Sequence, residues 1–250
     1  MQVVVNDLLT SYEKTGTGPT ILFLHGWGDS AETFKALALK LQGQYTTVTV
    51  DLPGFGGSQA PKETWGVDNY AQFVHQFLQK IEIKKVHGVI AHSNGGTIAI
   101  KALAKGEVSS DTLVLIASAG VRDVYKGRKK ALRIVAKAAK LATYPLPKSV
   151  QTKLKKKAYK TIGSDMFVAE HLQETFKKVV TDDVQADAAT LRLPTLLIYG
   201  SKDEATPASY GTLFHQAITG SDLEIIEGAG HFVHHDEPDK VFMLVQGFLV

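Results

Sequence analysis

Short runs of β-branched and aliphatic residues alternate with stretches of helical period along most of the chain, and this alternation narrows the accessible folds sharply. Apolar runs at residues 2–5, 8–13, 20–24, 46–50, 86–91, 112–117, 195–199 and 223–226 predict eight strands. Between them, residues 31–41, 69–79 and 96–105 read as amphipathic helices. Phe34, Leu37 and Leu41 recur at spacings of three and four, and so do Tyr70, Phe73, Val74 and Phe77. The later strands are almost continuously apolar, as expected where helices cover both faces of a sheet. The expected architecture is α/β: a mostly parallel eight-stranded sheet flanked by helices, with the first two strands forming an antiparallel edge hairpin.

The alternation stops between residues 121 and 190, where no strand is visible and Lys and Ala accumulate around Pro145 and Pro147. Residues 1–120 and 191–250 therefore read as one core domain interrupted by a helical cap. Inserted after the sixth strand, the cap is expected over the C-terminal edge of the sheet, where open α/β sheets bind ligands. The net charge of +3 hides an asymmetry. Residues 121–160 hold 14 basic residues and a single acidic one, Asp123, while the other 210 carry 14 basic and 24 acidic groups. Lys130, Arg133, Lys137 and Lys140 share a helical stripe, extended by Lys153 and Lys155–Lys157. Two readings stand: a solvated helix face, or a surface for acidic lipid, an acidic carrier protein or an anionic substrate. Nucleic acid is not expected, because base-reading elements are missing.

At 44% apolar and 21% charged, 250 residues suit a globular core rather than disorder. The absence of cysteine excludes disulfides, thiolate nucleophiles and cysteine-held metals, and no metal or organic cofactor is expected. Residues 1–7 lack the pattern of a signal peptide, and no apolar run nears the roughly 20 residues of a membrane span. A cytoplasmic location is expected.

The chemistry is concentrated at Val89-Ile90-Ala91-His92-Ser93-Asn94-Gly95-Gly96, where an apolar strand runs into a serine and small residues open a helix. A strand–turn–helix of this kind projects a serine hydroxyl above the sheet, and residues two positions away must be small. Gly95 meets that need on one side; Ala91 stands where glycine is usual. A serine needs a base. His231 follows the last strand on a glycine-bounded loop, which favours it over the neighbouring His234 and His235, while His92 should point away from Ser93. The base needs an orienting carboxylate. Asp203, four residues beyond the seventh strand, precedes His231 in the Ser…Asp…His order; Asp123 is the competing acid. Two backbone donors for an oxyanion are expected, Asn94 N–H and Trp27 N–H, the latter on the His25-Gly26-Trp27-Gly28 loop.

With Asp51-Leu52-Pro53-Gly54-Phe55-Gly56-Gly57-Ser58, these motifs resemble the α/β-hydrolase superfamily, close to its small esterases and related acyl hydrolases, from about residue 21 to 248. The resemblance implies Ser93, Asp203 and His231 as triad and Trp27 and Asn94 as oxyanion donors. His25, Gly26, Gly28, Ala91, His92 and Gly95 would support them, and the 51–58 turn would brace the cleft. Serine rather than aspartate at the elbow argues against dehalogenase or epoxide hydrolase chemistry. Hydrolysis of a small-molecule carboxylic ester is the first expectation. Thioesterase, lactonase, C–C bond hydrolase and cofactor-free perhydrolase chemistry share the scaffold. A hydrolase-like ligand receptor with little turnover is the non-enzymatic alternative.

Overall fold

The structure, a computed structural model, describes residues 1–122 and 169–250. Eight strands form one sheet: β1 (Gln2–Val5), β2 (Leu8–Thr15), β3 (Thr20–Leu24), β4 (Thr46–Val50), β5 (Val86–His92), β6 (Ser110–Ile116), β7 (Thr195–Gly200) and β8 (Ser221–Ile226). Their spatial order is β1-β2-β4-β3-β5-β6-β7-β8. β1 pairs antiparallel with β2, and β2 antiparallel with β4; every other pairing is parallel. The edge hairpin and the mostly parallel sheet expected from the sequence are both present.

Period-2 alternation sends successive side chains to opposite faces, so each central strand feeds two cores. Leu22 and Leu24 of β3 join Val89, Leu113 and Leu197 on one face, while Ile21 and Phe23 join Ile90, Val114 and Ile198 on the other. The first face is covered by α2 (Val67–Lys80), α3 (Asn94–Ala104) and α6 (Ala208–Ala217); the second is covered by α1 (Lys35–Leu41), α7 (Val233–Asp236) and α8 (Pro238–Phe248). Tyr70, Phe73, Val74 and Phe77 of α2 are fully buried at spacings of three and four. Asn69 caps this helix by accepting from Gly66 N–H, with Asp68 in its first turn and Lys80 in its last, matching the helix dipole. The start of the helix predicted from residue 31 is instead a 3-10 turn, Ala31–Phe34, ahead of α1.

Of the expected cap over 121–190, residues 123–168 lie outside the described residues, including the lysine stripe and Asp123. The returning part holds α4 (Gln173–Val179) and α5 (Gln185–Ala188), and Leu172, Val179, Val184 and Ala188 bury into the same core cluster as α2 and α3. Thr175 Oγ1 accepts from Trp65 N–H, Asp182 accepts from Val67 N–H, and Val184 N–H donates to the Gly120 carbonyl. This segment is fastened to the core by polar bonds as well as by apolar packing.

Among the described glycines, Gly95 leaves the least room for a side chain, where α3 meets the end of β3. A Cβ added to Gly95 would lie 2.1 Å from the Leu24 carbonyl oxygen and 2.7 Å from that of His25, and both are backbone atoms that cannot swing aside. Gly95→Ala is expected to lower stability by about 2 kcal/mol or more. Gly43→Ala, with nothing within 4 Å of the added carbon, should stay within about 0.5 kcal/mol of the parent. Urea unfolding of both checks this, and equal midpoints would contradict the packing.

Candidate active site

Ser93 sits between β5 and α3 with φ 51° and ψ −118°, a region that costs a non-glycine residue about 1–3 kcal/mol. The turn is over-determined by its bonds: Ser93 N–H donates to the Ile116 carbonyl, and the Ser93 carbonyl accepts from Gly96 and Ala119. Ala91 is completely buried, so its methyl is accommodated where the usual pattern has glycine. Gly26 faces the elbow, and a Cβ there would lie 3.1 Å from that of Ser93.

His231 Nε2 lies 3.1 Å from Ser93 Oγ, and its Nδ1 lies 2.8 Å from Asp203 Oδ2. The sequence-derived trio is therefore joined in one hydrogen-bonded series. The Asp203 carboxylate is wholly buried and fully bonded. Oδ1 accepts from the N–H groups of Ala205 and Thr206 at 2.8 and 2.9 Å; Oδ2 accepts from His231 and from Thr206 Oγ1, the latter at 2.8 Å. Burial alone would raise this carboxyl, but the hydrogen bond and charge of His231, with the two bonds from Thr206, together hold it below the ordinary carboxylate value. Thr206 was not singled out from the sequence. Its only signal there is a hydroxyl three residues beyond an acid.

The loops carrying these groups are stitched to one another. Ser201 N–H donates to the Ile226 carbonyl and Lys202 N–H to that of Ala229, which fixes the Asp203 loop against the His231 loop. Gly228, at φ 83°, supplies the bend. On the opposite side, His25 is fully buried; its Nδ1–H donates to the Gly26 carbonyl at 2.7 Å, and its Nε2 accepts from Leu52 N–H at 2.9 Å. It thus ties the end of β3 to the 51–58 turn, where Asp51 accepts from Ala31 and Gly57. Gly28 takes φ 74°, and Trp27 packs edge-on against Phe55 at 4.9 Å and against Phe176 of α4 at 5.2 Å. Among the described residues, the backbone N–H groups of Trp27 and Asn94 donate to no acceptor.

His92 does turn away from Ser93: its Nε2–H donates to the His231 carbonyl at 3.0 Å. His234 and His235 bond to Thr33 rather than to Ser93. The rings of His92, His231, His234 and His235 form a contiguous cluster, with His92 centred 4.8 Å from both His231 and His234. Burial, reinforced by neighbouring imidazoles, pushes His92 well below the usual histidine value and His234 down to about 3; burial also lowers His25. Among the described residues no group of His, Asp or Glu could hold a metal ion. Also among them, no helix is long and apolar enough to cross a membrane.

This fold and site carry a family signature. Residues 21–244 match the model of the alpha/beta hydrolase family, and the chain belongs to that family, which supports a hydrolase. An uncharacterised protein of Mycobacterium tuberculosis is 29% identical over 98% of this chain and 79% of its own length. A monoacylglycerol lipase of Homo sapiens is 24% identical over 94% of this chain and 77% of its own. Among solved structures, a membrane phospholipase A described as a bacterial virulence factor superposes with a TM-score of 0.78 at 25% identity, covering 100% of this chain and 84% of that one.

The buried imidazoles make stability depend on pH. An unfolded histidine binds a proton below about pH 6.5, whereas folded His234 stays neutral until about pH 3. Its contribution is therefore complete above about pH 6.5 and is lost progressively as pH falls toward 3. Between pH 7.5 and 5.0 the protein should lose about 2 kcal/mol through His234 alone, with His92 and His25 acting in the same direction. Urea midpoints at the two pH values check this. His234→Gln should flatten the dependence, and a midpoint that ignores pH would contradict burial of neutral rings.

Proposed function

We propose that the protein is a serine hydrolase that cleaves carboxylic esters through an acyl-enzyme, with Ser93 as nucleophile, His231 as base and Asp203 as its orienting acid. The observation that carries this reading is the unbroken series Ser93 Oγ–His231 Nε2 at 3.1 Å and His231 Nδ1–Asp203 Oδ2 at 2.8 Å, built on the strained elbow. His231 takes the Ser93 proton as Oγ adds to the ester carbonyl. The resulting oxyanion is held by the N–H groups of Trp27 and Asn94, each worth roughly two to three orders of magnitude in rate. His231 then delivers its proton to the departing alcohol, and water releases the acid by the reverse sequence.

Esters are favoured over the other acyl chemistries by two things. Two of the similar proteins are named as lipases, and the Trp27 ring, next in sequence to Gly26 and packed against Phe55 and Phe176, gives the oxyanion loop an apolar neighbourhood suited to an aliphatic chain. Recruitment of an acidic lipid, carrier protein or anionic ester would belong to the basic 121–160 segment, nearly all of which lies outside the described residues.

The test is multiple-turnover hydrolysis of p-nitrophenyl esters from acetate to palmitate. Ser93→Ala should lose at least about a thousandfold in kcat, and Asp203→Asn about a thousandfold or more. Turnover that stalls after one acyl equivalent would indicate a receptor instead. Hydrolysis that survives Ser93→Ala would refute the nucleophile.

A further inference from the structure

Thr206 Oγ1 has three polar partners, and its one proton cannot serve them all. It lies 2.8 Å from Asp203 Oδ2, 2.9 Å from the Ala117 carbonyl oxygen and 3.1 Å from His231 Nδ1. A hydroxyl has one proton to give and two lone pairs to offer. The ionised carboxylate and the carbonyl can only accept, so they compete for that proton. His231 Nδ1–H can only donate, so it reaches both Asp203 Oδ2 and the Thr206 oxygen. Thr206 is 5% exposed, which leaves little access for water to the contest. Ala117, just beyond β6, holds φ 46°, a left-handed conformation that alanine rarely adopts. This strained turn presents its carbonyl to Thr206.

We propose that Thr206 is a positioning residue for His231, its hydroxyl proton turning from Asp203 Oδ2 to the Ala117 carbonyl as the imidazolium forms. The inference rests on the triad reading above and assigns a fourth side chain to it. While His231 is neutral, the Thr206 proton on Oδ2 disperses the carboxylate's charge. When Nε2 takes the serine proton, the ring becomes cationic and Nδ1–H draws on every lone pair near it. Rotation of the hydroxyl then leaves the full charge of Oδ2 facing the ring, while the Thr206 oxygen goes on accepting from Nδ1–H. No proton leaves Thr206; only its acceptor changes. The stabilisation is therefore greater in the charged transition state than in the resting site, so it acts on kcat rather than on binding.

The test compares wild type, Thr206→Val, Thr206→Ser and Ser93→Ala on one p-nitrophenyl ester, with active sites counted by fluorophosphonate titration. Valine keeps the shape and removes the hydroxyl. It should lower kcat per titrated site about ten- to hundredfold, as expected for a lost hydrogen bond to a charged group, with KM within about twofold. Serine restores the hydroxyl and should return kcat to within about threefold of wild type. Thermal unfolding accompanies each variant, and Thr206→Ala replaces valine if the latter fails to fold. Unchanged kcat in the variants lacking the hydroxyl, or a serine variant as impaired as valine, overturns the proposal while Ser93→Ala remains inactive. Activity retained in Ser93→Ala would instead bring down the triad reading, and this inference with it.

Discussion

Gly95 meets the ends of β3 so closely that the Leu24 carbonyl occupies the space where a side chain would begin. That approach draws the start of α3 under the sheet edge and leaves Ser93 at φ 51°, an unfavourable backbone state held by bonds to Ile116, Gly96 and Ala119. Strain persists at such a site only where its surroundings over-determine it. Here the surroundings are three strands of a parallel sheet, β3, β5 and β6, whose halves nearest Ser93 (Leu22–Leu24, Val89–His92 and Leu113–Ile116) are buried throughout. Gly26 also sits against the elbow, so the Trp27 N–H and the Asn94 N–H at the start of α3 belong to segments that touch. The half-buried Ser93 hydroxyl and two backbone donors that meet no acceptor among the described residues are thus gathered at one close approach.

The remaining groups are held by polar bonds among buried rings and carbonyls. His25 joins the β3 loop to the 51–58 turn, and His92 joins the elbow to the His231 loop, each using one ring nitrogen on a neighbouring carbonyl. Both rings are buried and kept neutral, so they act as amide-like braces rather than charges. Asp203 is the opposite case: four hydrogen bonds keep its buried carboxyl ionised, and a fixed negative charge stands behind His231. Neutral imidazoles around one anchored carboxylate give the cleft a defined polarity without a buried unpaired ion.

Much of this was legible in the chain because periodicity and glycine placement report backbone geometry directly. Eight strands and the edge hairpin follow from local patterns, and the meeting of Ser93, His231 and Asp203 follows from three turns at strand ends taken in their chain order. Boundaries moved where tertiary contacts decide. The second helix begins at Val67 because Asn69 caps at Gly66, and β6 begins at Ser110 because that residue pairs with Val86. Helices α6 and α8 were not foreseen. Each has few fully buried anchors, such as Phe214 in one and Val241 and Val245 in the other, so the apolar stripe is thin, although Pro238 at the start of α8 was an available signal. Thr206 was illegible for a stronger reason: its partners come from 3, 25 and 89 residues away, and only the folded sheet end assembles them.

The most direct measurement of the central claim is the site and rate of covalent labelling by a fluorophosphonate, read by intact mass and peptide mapping. The account predicts one label per chain, on Ser93, with labelling slowed about a thousandfold or more in His231→Ala, because the hydroxyl is a weak nucleophile without its base. A label on another residue, or equal labelling rates with and without His231, would contradict it.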